Sequence, residues 1–266
     1  MSITIGADPE LFVADANNNI VSGIGHVGGS KEKPFPVKGG AVQEDNVLAE
    51  FNIDPCKTAK QFCKQVSTVT SELDKILKKA ELHTVVKSSH TFEKDALIAS
   101  GQKAMEFGCD PDTNCWSEEE NESPNPYTCL RTAGGHVHIG YDKPTEARSY
   151  EIACILDYLL GVPSVLLDDD VERRGMYGQA GACRIKVYGV EYRVLSNFWL
   201  GSESLKKWVF DMAVLAESLT LQEVVELYDP LDVFQAINTS NVDLATSISV
   251  ALENNIKGFY LPSQEA

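Results

Sequence analysis

A chain of 266 residues, 43% of them hydrophobic, is long enough to bury a sizeable core in one large domain or two small ones. Its 23 basic and 39 acidic residues give a formal net charge of −16, which argues against a nucleic-acid polymer or an acidic membrane surface as the partner. The sequence shows no signal-like N-terminus and no apolar run that approaches membrane-spanning length.

The first half of the chain reads mainly as strands. The alternation of apolar and polar residues predicts strands at 2–15, 20–22, 41–53 and 83–90. A loop rich in Gly, Lys and Pro separates the second strand from the third, at 23–40. A helix is predicted from Pro55, because apolar residues recur at helical spacing from Phe62 to Leu77. Residues 91–131 are predicted to be irregular, with an acidic, Pro-rich centre typical of a surface loop.

The second half moves from strands to helices. Strands are predicted at 135–141 and 183–196, and helices at 144–160, 204–219, 231–237 and 242–257. No internal repeat is evident, and βαβ units are few. The pattern therefore predicts an α+β fold in one domain, 1–266, with a largely antiparallel sheet and a helical C-terminal part, 202–266.

Four short motifs place polar residues an even number of positions apart on predicted strands, and such side chains share one face of a strand. The pairs are Asp8 and Glu10 in GADPELF, Glu44 and Glu50 in QEDNVLAEFNI, His136 and His138 in GGHVHIG, and Glu191 and Arg193 in GVEYRV. An amphipathic strand with one wet face explains any single motif. Together, the five carboxylates and two histidines predict a bound cation, because without one the carboxylates would repel one another and these polar atoms would lack a partner.

The donor set indicates which cation to expect. Carboxylates dominate it, which favours Mg²⁺ or Mn²⁺ over zinc. Mg²⁺ in such sites often bridges to nucleotide phosphates, so positive side chains should lie nearby. The sequence offers four arginines in one stretch, Arg173, Arg174, Arg184 and Arg193. For the first two, pairing with the acidic run at 168–170 is the alternative.

The glycines offer a further indication of the ligand. Gly134 and Gly135, which precede the HVH motif, suggest close approach of the backbone to something bulky such as a nucleotide phosphate. Neither a P-loop motif nor a GxGxxG motif occurs in the chain.

The order of the motifs carries a family resemblance. GADPELF, EDNVLAEFN, GGHVHIG and VEYR, together with RRGMYGQAGACR, resemble the catalytic sheet of the glutamine synthetase and glutamate–cysteine ligase superfamily. The chain looks more closely like the phage-type carboxylate–amine ligases, the COOH–NH2 ligase type 2 group, from about residue 5 to 200. This resemblance implies a curved antiparallel sheet like that of the glutamine synthetase catalytic domain, covered by helices.

The resemblance also implies roles for individual residues. The implied metal ligands are Asp8, Glu10, Glu44, Glu50, His136 and Glu191. Asp8 departs from the family pattern because its side chain is shorter than glutamate, and Glu44 departs in its spacing. The implied phosphate and carboxylate contacts are Arg193, Arg184 and Arg173 or Arg174. The implied nucleotide contacts are His136, His138, Arg193, Lys31 and Lys33.

The implied activity is an ATP- and Mg²⁺-dependent ligation of a carboxylate to an amine through an acyl phosphate. The substrates would be small molecules or peptides, and their identity and the general base stay open. A metal-dependent hydrolase, a guanidino-kinase-like phosphotransferase and a non-catalytic binding protein that keeps the fold are the alternatives. The resemblance leaves a homo-oligomer open. The cysteines and the N-terminus predict a cytoplasmic location, in the host cytoplasm if a phage encodes the chain.

The seven cysteines form an odd set with no CxxC pair, which is typical of reduced thiols in a cytoplasm. A zinc site built from Cys109, Cys115 and Cys129 is the alternative interpretation. Their spacing is not that of a zinc knuckle, which argues against it.

Overall fold

The computed structural model describes residues 3–105, 112–121, 128–168 and 171–263. Its strands are β1 (Thr4–Ala7), β2 (Glu10–Ala14), β3 (Ile20–Val21), β4 (Phe35–Val37), β5 (Gly40–Asp45), β6 (Leu48–Ile53), β7 (His83–Val85), β8 (Ser89–Thr91), β9 (Thr113–Asn114), β10 (Leu130–Thr132), β11 (Val137–Gly140), β12 (Ala182–Lys186) and β13 (Gly189–Tyr192). Its α-helices are α1 (Ala59–Leu77), α2 (Lys94–Ala99), α3 (Gln102–Met105), α4 (Glu146–Leu156), α5 (Val162–Leu167), α6 (Val171–Arg174), α7 (Glu203–Ser218), α8 (Leu221–Val225), α9 (Pro230–Asn238) and α10 (Val242–Asn255). Short 3₁₀ helices occur at Lys78–Ala80 and Asn197–Gly201, and a π-helical turn, Asp157–Gly161, joins α4 to α5.

The strands form two main sheets and a two-stranded ribbon. The first sheet has the order β1-β11-β13-β12-β9, the second has the order β3-β2-β6-β5-β4 with β7 also paired to β2, and β10 pairs with β8. Every strand pairing in the described part of the chain is antiparallel. With the run of helices from α7 to α10, this confirms the α+β class and the helical C-terminal part.

The predicted strand at 2–15 is two strands, one in each sheet. The run breaks at Asp8 and Pro9, where the proline has no N–H to donate to a ladder. The backbone stays tied at the break, because the N–H of Glu10 donates to the carbonyl of Gly134 over 2.9 Å. One continuous stretch of chain therefore carries motif residues from the first sheet into the second.

The predicted strand at 41–53 is a hairpin. β5 and β6 pair in antiparallel register, and Asn46 turns the chain between them with a φ of 54°. Asparagine tolerates this left-handed conformation better than most residues do. The predicted strands at 83–90 and 183–196 likewise divide into two shorter strands each.

Helices cover the apolar faces of the sheets. α1 presents a buried stripe of Phe62, Val66, Val69, Leu73 and Leu77, as its helical spacing predicted, and it packs against β5, β6 and α7. The predicted irregular stretch at 91–131 contains α2, α3, β9 and β10 within its described residues, which corrects that prediction. Local pattern missed these elements because each is six residues or shorter.

One helical run, Glu146–Leu167, is long and apolar enough to cross a membrane by length and composition, with a mean hydropathy of 1.6. The sequence prediction that no apolar run approaches membrane-spanning length is therefore wrong. Of the most apolar 18 residues of this run, 83% are buried inside the protein, as is typical of a helix in a protein core. Asp157 interrupts the run and is fully buried, where it accepts hydrogen bonds from the Trp116 indole (2.7 Å) and the Tyr192 hydroxyl (2.8 Å).

Candidate metal and phosphate site

The antiparallel register brings the polar residues of the first sheet together on one face. His138 on β11 lies opposite Gly6 on β1 and opposite Glu191 on β13. Glu191 in turn lies opposite Arg184 on β12. Residues directly opposite in an antiparallel pair share a face, so a polar row of His138, Glu191 and Arg184 crosses three strands, with Gly6 beside it on β1.

Asp8, His136 and Glu191 form a triad whose potential ligand atoms all lie within 4.8 Å of one another. Nδ1 of His136 is 3.4 Å from Oδ1 of Asp8 and 3.9 Å from Oε1 of Glu191. Oδ1 of Asp8 is buried, and although Nε2 of His138 lies 2.8 Å away, the two atoms lack hydrogen-bond geometry. Two carboxylates, an imidazole and an unsatisfied buried oxygen fit a hard divalent cation such as Mg²⁺ or Mn²⁺.

The triad residues are held in the protonation states that bind metal. Burial alone would raise the pKa of Asp8, but the neighbouring His138 and His136 hold it well below its usual range. Burial and Asp8 likewise act to raise the pKa of Glu191, yet Arg193 and the two histidines bring it down to about 2. Burial, followed by the charge of Arg193, lowers the pKa of His136. At neutral pH the site therefore offers two carboxylates and a neutral imidazole.

A second acidic cluster lies on the second sheet. Glu10, Glu50 and Gln43 face one another across β2, β6 and β5, and the Gln43 amide donates to Oε2 of Glu50 over 2.5 Å. The N–H of Gly134 donates to Oε2 of Glu10 over 2.6 Å. Burial, then the charge of Asp45, raises the pKa of Glu10 to about 7. Burial likewise raises the pKa of Glu50 well above its usual value and also raises that of Asp45. A divalent cation would relieve this crowding of carboxylates.

The prediction that Glu44 shares a face with Glu50 is wrong. Glu44 lies opposite Ala49, on the other face of the hairpin. Its carboxylate accepts a hydrogen bond from the N–H of Gly25 over 2.8 Å and lies 3.7 Å from Nζ of Lys103. Residues an even number of positions apart share a face only within one strand. The prediction failed because positions 44 and 50 were counted across the turn between β5 and β6 as if they lay on one strand.

Three cationic side chains border the triad. Nη1 of Arg193 makes a short ion pair with Oε1 of Glu191. Nε of the same arginine lies 2.6 Å from Oδ1 of Asp112. Arg184 lies 3.5 Å from Asp112 and 3.9 Å from Glu191. Nζ of Lys186 lies 2.7 Å from Oε2 of Glu191. This arrangement places Arg184 and Arg193 beside the triad of Asp8, His136 and Glu191.

Arg173 and Arg174 bind the protein's own backbone, although the charge of Arg173 also acts to lower the pKa of Glu10 in the second acidic cluster. Both are buried, and their guanidinium groups donate to backbone carbonyls, Arg173 to Val194 (2.6 Å) and Arg174 to Ser164 (2.8 Å) and Asp168 (2.9 Å). These contacts hold the chain that follows β13 against α5. The alternative, pairing with the acidic run at 168–170, is found for Arg174, whose Nη2 lies 3.9 Å from Oδ2 of Asp168, although both side chains are buried and not on the surface. Residues 169 and 170 lie outside the described part of the chain.

The other residues predicted to contact the nucleotide, His138, Lys31 and Lys33, lie in different places. His138 makes a short contact through Nδ1 with the Tyr188 hydroxyl, close to the triad. The charge of Lys31 acts to lower the pKa of Asp45, which places its loop on the side of the second acidic cluster. Lys33 pairs with Ser30 in an exposed turn, and its described contacts do not involve the site.

A cavity of about 350 Å³ opens beside the triad. Small and apolar residues, among them Ala7, Ile53 and Pro55, form much of its wall, while Asp8 and His138 border it with polar atoms. Its position suits a ligand with an uncharged part next to a charged one.

The two glycines before the HVH motif serve the protein's own packing. A side chain at Gly134 would overlap the imidazole of His136, and one at Gly135 would overlap the carbonyl of Ser196 and the indole of Trp199. The indole N–H of Trp199 also donates to the carbonyl of Gly135 over 3.0 Å. The close approach inferred from the glycines is therefore to other parts of the chain.

Sequence reasoning missed four residues of this site, Gln43, Asp45, Asp112 and Lys186. Gln43 and Asp45 flank Glu44, and a hairpin turn at Asn46 would have selected them by the same parity rule. Lys186 is two residues from Arg184 on one strand, so parity could have found it. Asp112 lies in a stretch without strand pattern and carried no signal.

The cysteines do not support the zinc alternative. The six cysteines in the described part of the chain are free. Sγ of Cys115 lies 3.3 Å from Sγ of Cys154 in the main core, while Cys129 packs against a separate apolar cluster. Cys109, the third proposed ligand, lies outside the described residues.

The family model described as phage phiEco32-like COOH.NH2 ligase-type 2 matches residues 125–256. No curated protein matches the sequence. Among solved structures, "Apo GmaS without ligand" matches with 12% identity and a TM-score of 0.48, over 95% of this chain and 63% of that one. "GmaS/ADP complex-Conformation 1" matches with 11% identity and a TM-score of 0.45, over 97% of this chain and 66% of that one. The chain thus spans slightly less than two thirds of the length of these structures.

Proposed function

We infer from the match of residues 125–256 to the phage phiEco32-like COOH.NH2 ligase-type 2 family model that this chain is a carboxylate–amine ligase, and we propose that it uses ATP with Mg²⁺ or Mn²⁺. The observation that carries the proposal is the metal triad of Asp8, His136 and Glu191 with Arg184 and Arg193 beside it. A site for a divalent cation next to a cluster of guanidinium groups suits a polyphosphate.

The proposed reaction has two steps. A substrate carboxylate attacks the γ-phosphoryl group of ATP, which forms an acyl phosphate and releases ADP. An amine then attacks the acyl carbon, which forms the amide and releases inorganic phosphate. The first step joins two anions, so the protein must neutralise their repulsion before the reacting atoms can meet.

The residues of the chain would share this task. Asp8, His136 and Glu191 would hold one divalent cation, and a bound cation would neutralise phosphate charge in the reaction. Glu10 and Glu50, with Asp45 beside them, would hold a second. Arginines placed next to these ligands would bind the phosphoryl oxygens and oppose the negative charge that spreads over them during transfer.

The cavity beside the triad would bind the uncharged part of the nucleotide. Ala7, Ile53 and Pro55 offer apolar contact, and Asp8 and His138 lie at the end where phosphates would meet the metal ligands. A pocket with apolar walls and a few polar groups at one end is typical of a small-molecule site.

The test begins with thermal unfolding in three conditions: EDTA, Mg²⁺ alone, and Mg²⁺ with ADP. A ligase of this kind should gain a further increase in midpoint from the nucleotide, because a ligand that binds the native state stabilises it by mass action. A metal-dependent hydrolase should respond to Mg²⁺ alone. Glu191→Gln should lose the nucleotide response, while the exposed residue Glu253, changed to Gln, serves as the matched control.

Catalysis is then tested by ADP release across a panel of carboxylates and amines, with mass spectrometry of the product. Amide formation that requires both substrates and ATP would support the ligase. If the protein binds nucleotide but releases no ADP with any pair of carboxylate and amine, the non-catalytic alternative is favoured. Turnover without ATP would favour the hydrolase.

A further inference from the structure

We propose that Asp112 is a positioning residue that fixes Arg184 and Arg193 for phosphoryl transfer, an assignment that rests on the proposed function. Asp112 lies outside the four motifs and was not among the predicted site residues. Its side chain nevertheless contacts both arginines that border the metal triad.

Four charged side chains form a closed ring in which positive and negative charges alternate, in the order Arg184, Glu191, Arg193 and Asp112. Arg184 lies 3.9 Å from Glu191 and 3.5 Å from Asp112. Arg193 makes a short ion pair with Glu191 and lies 2.6 Å from Asp112 through its Nε. Each arginine thus lies between two carboxylates, one on the sheet and one on the segment that follows residue 111.

Asp112 is held independently of the metal ligands. The segment that carries it continues into β9, whose Asn114 pairs with Ala182 on β12, so that Asp112 extends the row toward Arg184. The carbonyl of Asp112 accepts the N–H of Asn121 over 2.7 Å. The Trp116 indole anchors the same segment to the buried Asp157 in the core. Asp112 itself is only 7% exposed, which leaves its carboxylate few alternative positions.

A second carboxylate beside the arginines is needed because Glu191 is both a proposed metal ligand and an ion-pair partner of Arg193. Glu191 belongs to the metal triad and also pairs with Arg193 and Lys186. When Glu191 shares its charge with a divalent cation, its hold on the arginines weakens and the neighbouring positive groups repel one another. Asp112 is outside the proposed ligand set and contacts both guanidinium groups, so it can keep them in place when Glu191 binds the cation.

Fixed guanidinium groups matter most in the transition state. Charge develops on the phosphoryl oxygens during transfer, and donors that are already oriented stabilise it without reorganising. A nucleotide diphosphate in the ground state makes less demand on this orientation. Loss of Asp112 should therefore weaken transition-state binding much more than ground-state binding.

The experiment compares two probes by isothermal titration, MgADP and MgADP with aluminium fluoride in place of the transferred phosphoryl group. Asp112→Asn should weaken binding of the aluminium fluoride complex by roughly tenfold or more, because misplacing catalytic groups has effects of this size or larger. It should change MgADP binding less than about threefold. Asp211→Asn is the matched control, since it removes an equal charge from an exposed ion pair with Lys207.

Asp112→Glu adds a second measurement. The longer side chain keeps the charge, so it should restore most of the lost affinity for the aluminium fluoride complex. If Asp112→Asn does not fold, Asp112→Ser takes its place with the same two probes and the same expected losses, and wild-type affinity of that variant for both probes would overturn the proposal.

The remaining outcomes are distinct. Wild-type affinity of Asp112→Asn for both probes, or an equal loss for both, would overturn the positioning role. Wild-type protein that binds neither probe would refute the proposed function, and the assignment of Asp112 would fall with it.

Discussion

Replacing Glu10 with glutamine should stabilise the metal-free protein, although Glu10 is a proposed metal ligand. Its carboxylate is buried beside Asp45 and Glu50, and its pKa is raised from 4.5 to about 7. Such a group favours the folded state when protonated, and that stability is lost as the pH rises from the unfolded value through the folded one. Glutamine is neutral at every pH and still offers an oxygen to the N–H of Gly134.

The size of the effect follows from the pKa change. A rise of about 2.5 units in pKa corresponds to roughly 3 kcal/mol of unfolding free energy lost by pH 8, and to about 1 kcal/mol lost by pH 5. Glu10→Gln should recover these amounts in EDTA. For a chain of this length, 3 kcal/mol corresponds to a midpoint increase of roughly 6–12 °C.

Urea unfolding at pH 5 and pH 8, in EDTA and in Mg²⁺, measures the difference. Wild-type protein should gain stability from Mg²⁺ at pH 8, and Glu10→Gln should gain much less. Glu44→Gln serves as the control, because Glu44 lies on the other face of the same sheet and should change neither quantity by more than about 1 kcal/mol. A Glu10→Gln protein less stable than wild type in EDTA at pH 8 would refute the reasoning.

Three further substitutions test other parts of the structure. Asp8→Asn should weaken Mn²⁺ binding roughly tenfold or more by isothermal titration, because it removes one anionic ligand from the triad; unchanged affinity would contradict the site. Gly135→Ala should lower the unfolding free energy by about 2 kcal/mol or more in urea, since its methyl group would overlap the carbonyl of Ser196; a wild-type midpoint would argue against this packing. Asp157→Ala should cost about 2–5 kcal/mol in the same assay, because the buried Tyr192 hydroxyl and an indole N–H would lose their acceptor; a cost below 1 kcal/mol would show that these donors find other partners.

The part of the site that could be predicted from sequence is the part that depends on single strands. Asp8, His136 and Glu191 lie in separate motifs. Glu191 lies on β13, while Asp8 and His136 each lie one residue beyond the end of a strand, β1 and β11, so the alternation of those strands still predicted their place. Glu44 was misplaced because the hairpin turn at Asn46 was read as continuous strand, and a turn resets the count.

Other features depend on contacts between distant parts of the chain, which local patterns do not contain. Asp112 lies 81 residues before its partner Arg193 in the sequence, and nothing in the composition of its segment indicates the pairing. Arg173 and Arg174 had the residue type for phosphate binding, but tertiary packing gives their donors to backbone carbonyls. Residue type and spacing therefore predicted the positions of the triad residues better than the contacts that support them.

The division of one chain run between two sheets at Asp8 and Pro9 has a consequence for the spacing of the two proposed cations. Asp8 belongs to one ligand cluster and Glu10 to the other, and an extended backbone separates such residues by about 7 Å. The distance between the clusters is therefore set by covalent bonds along a single dipeptide step, more firmly than any contact between domains could set it. Inserting or deleting one residue there would change this distance and would also turn Glu10 toward the opposite side, so this stretch should tolerate length changes less well than any surface loop.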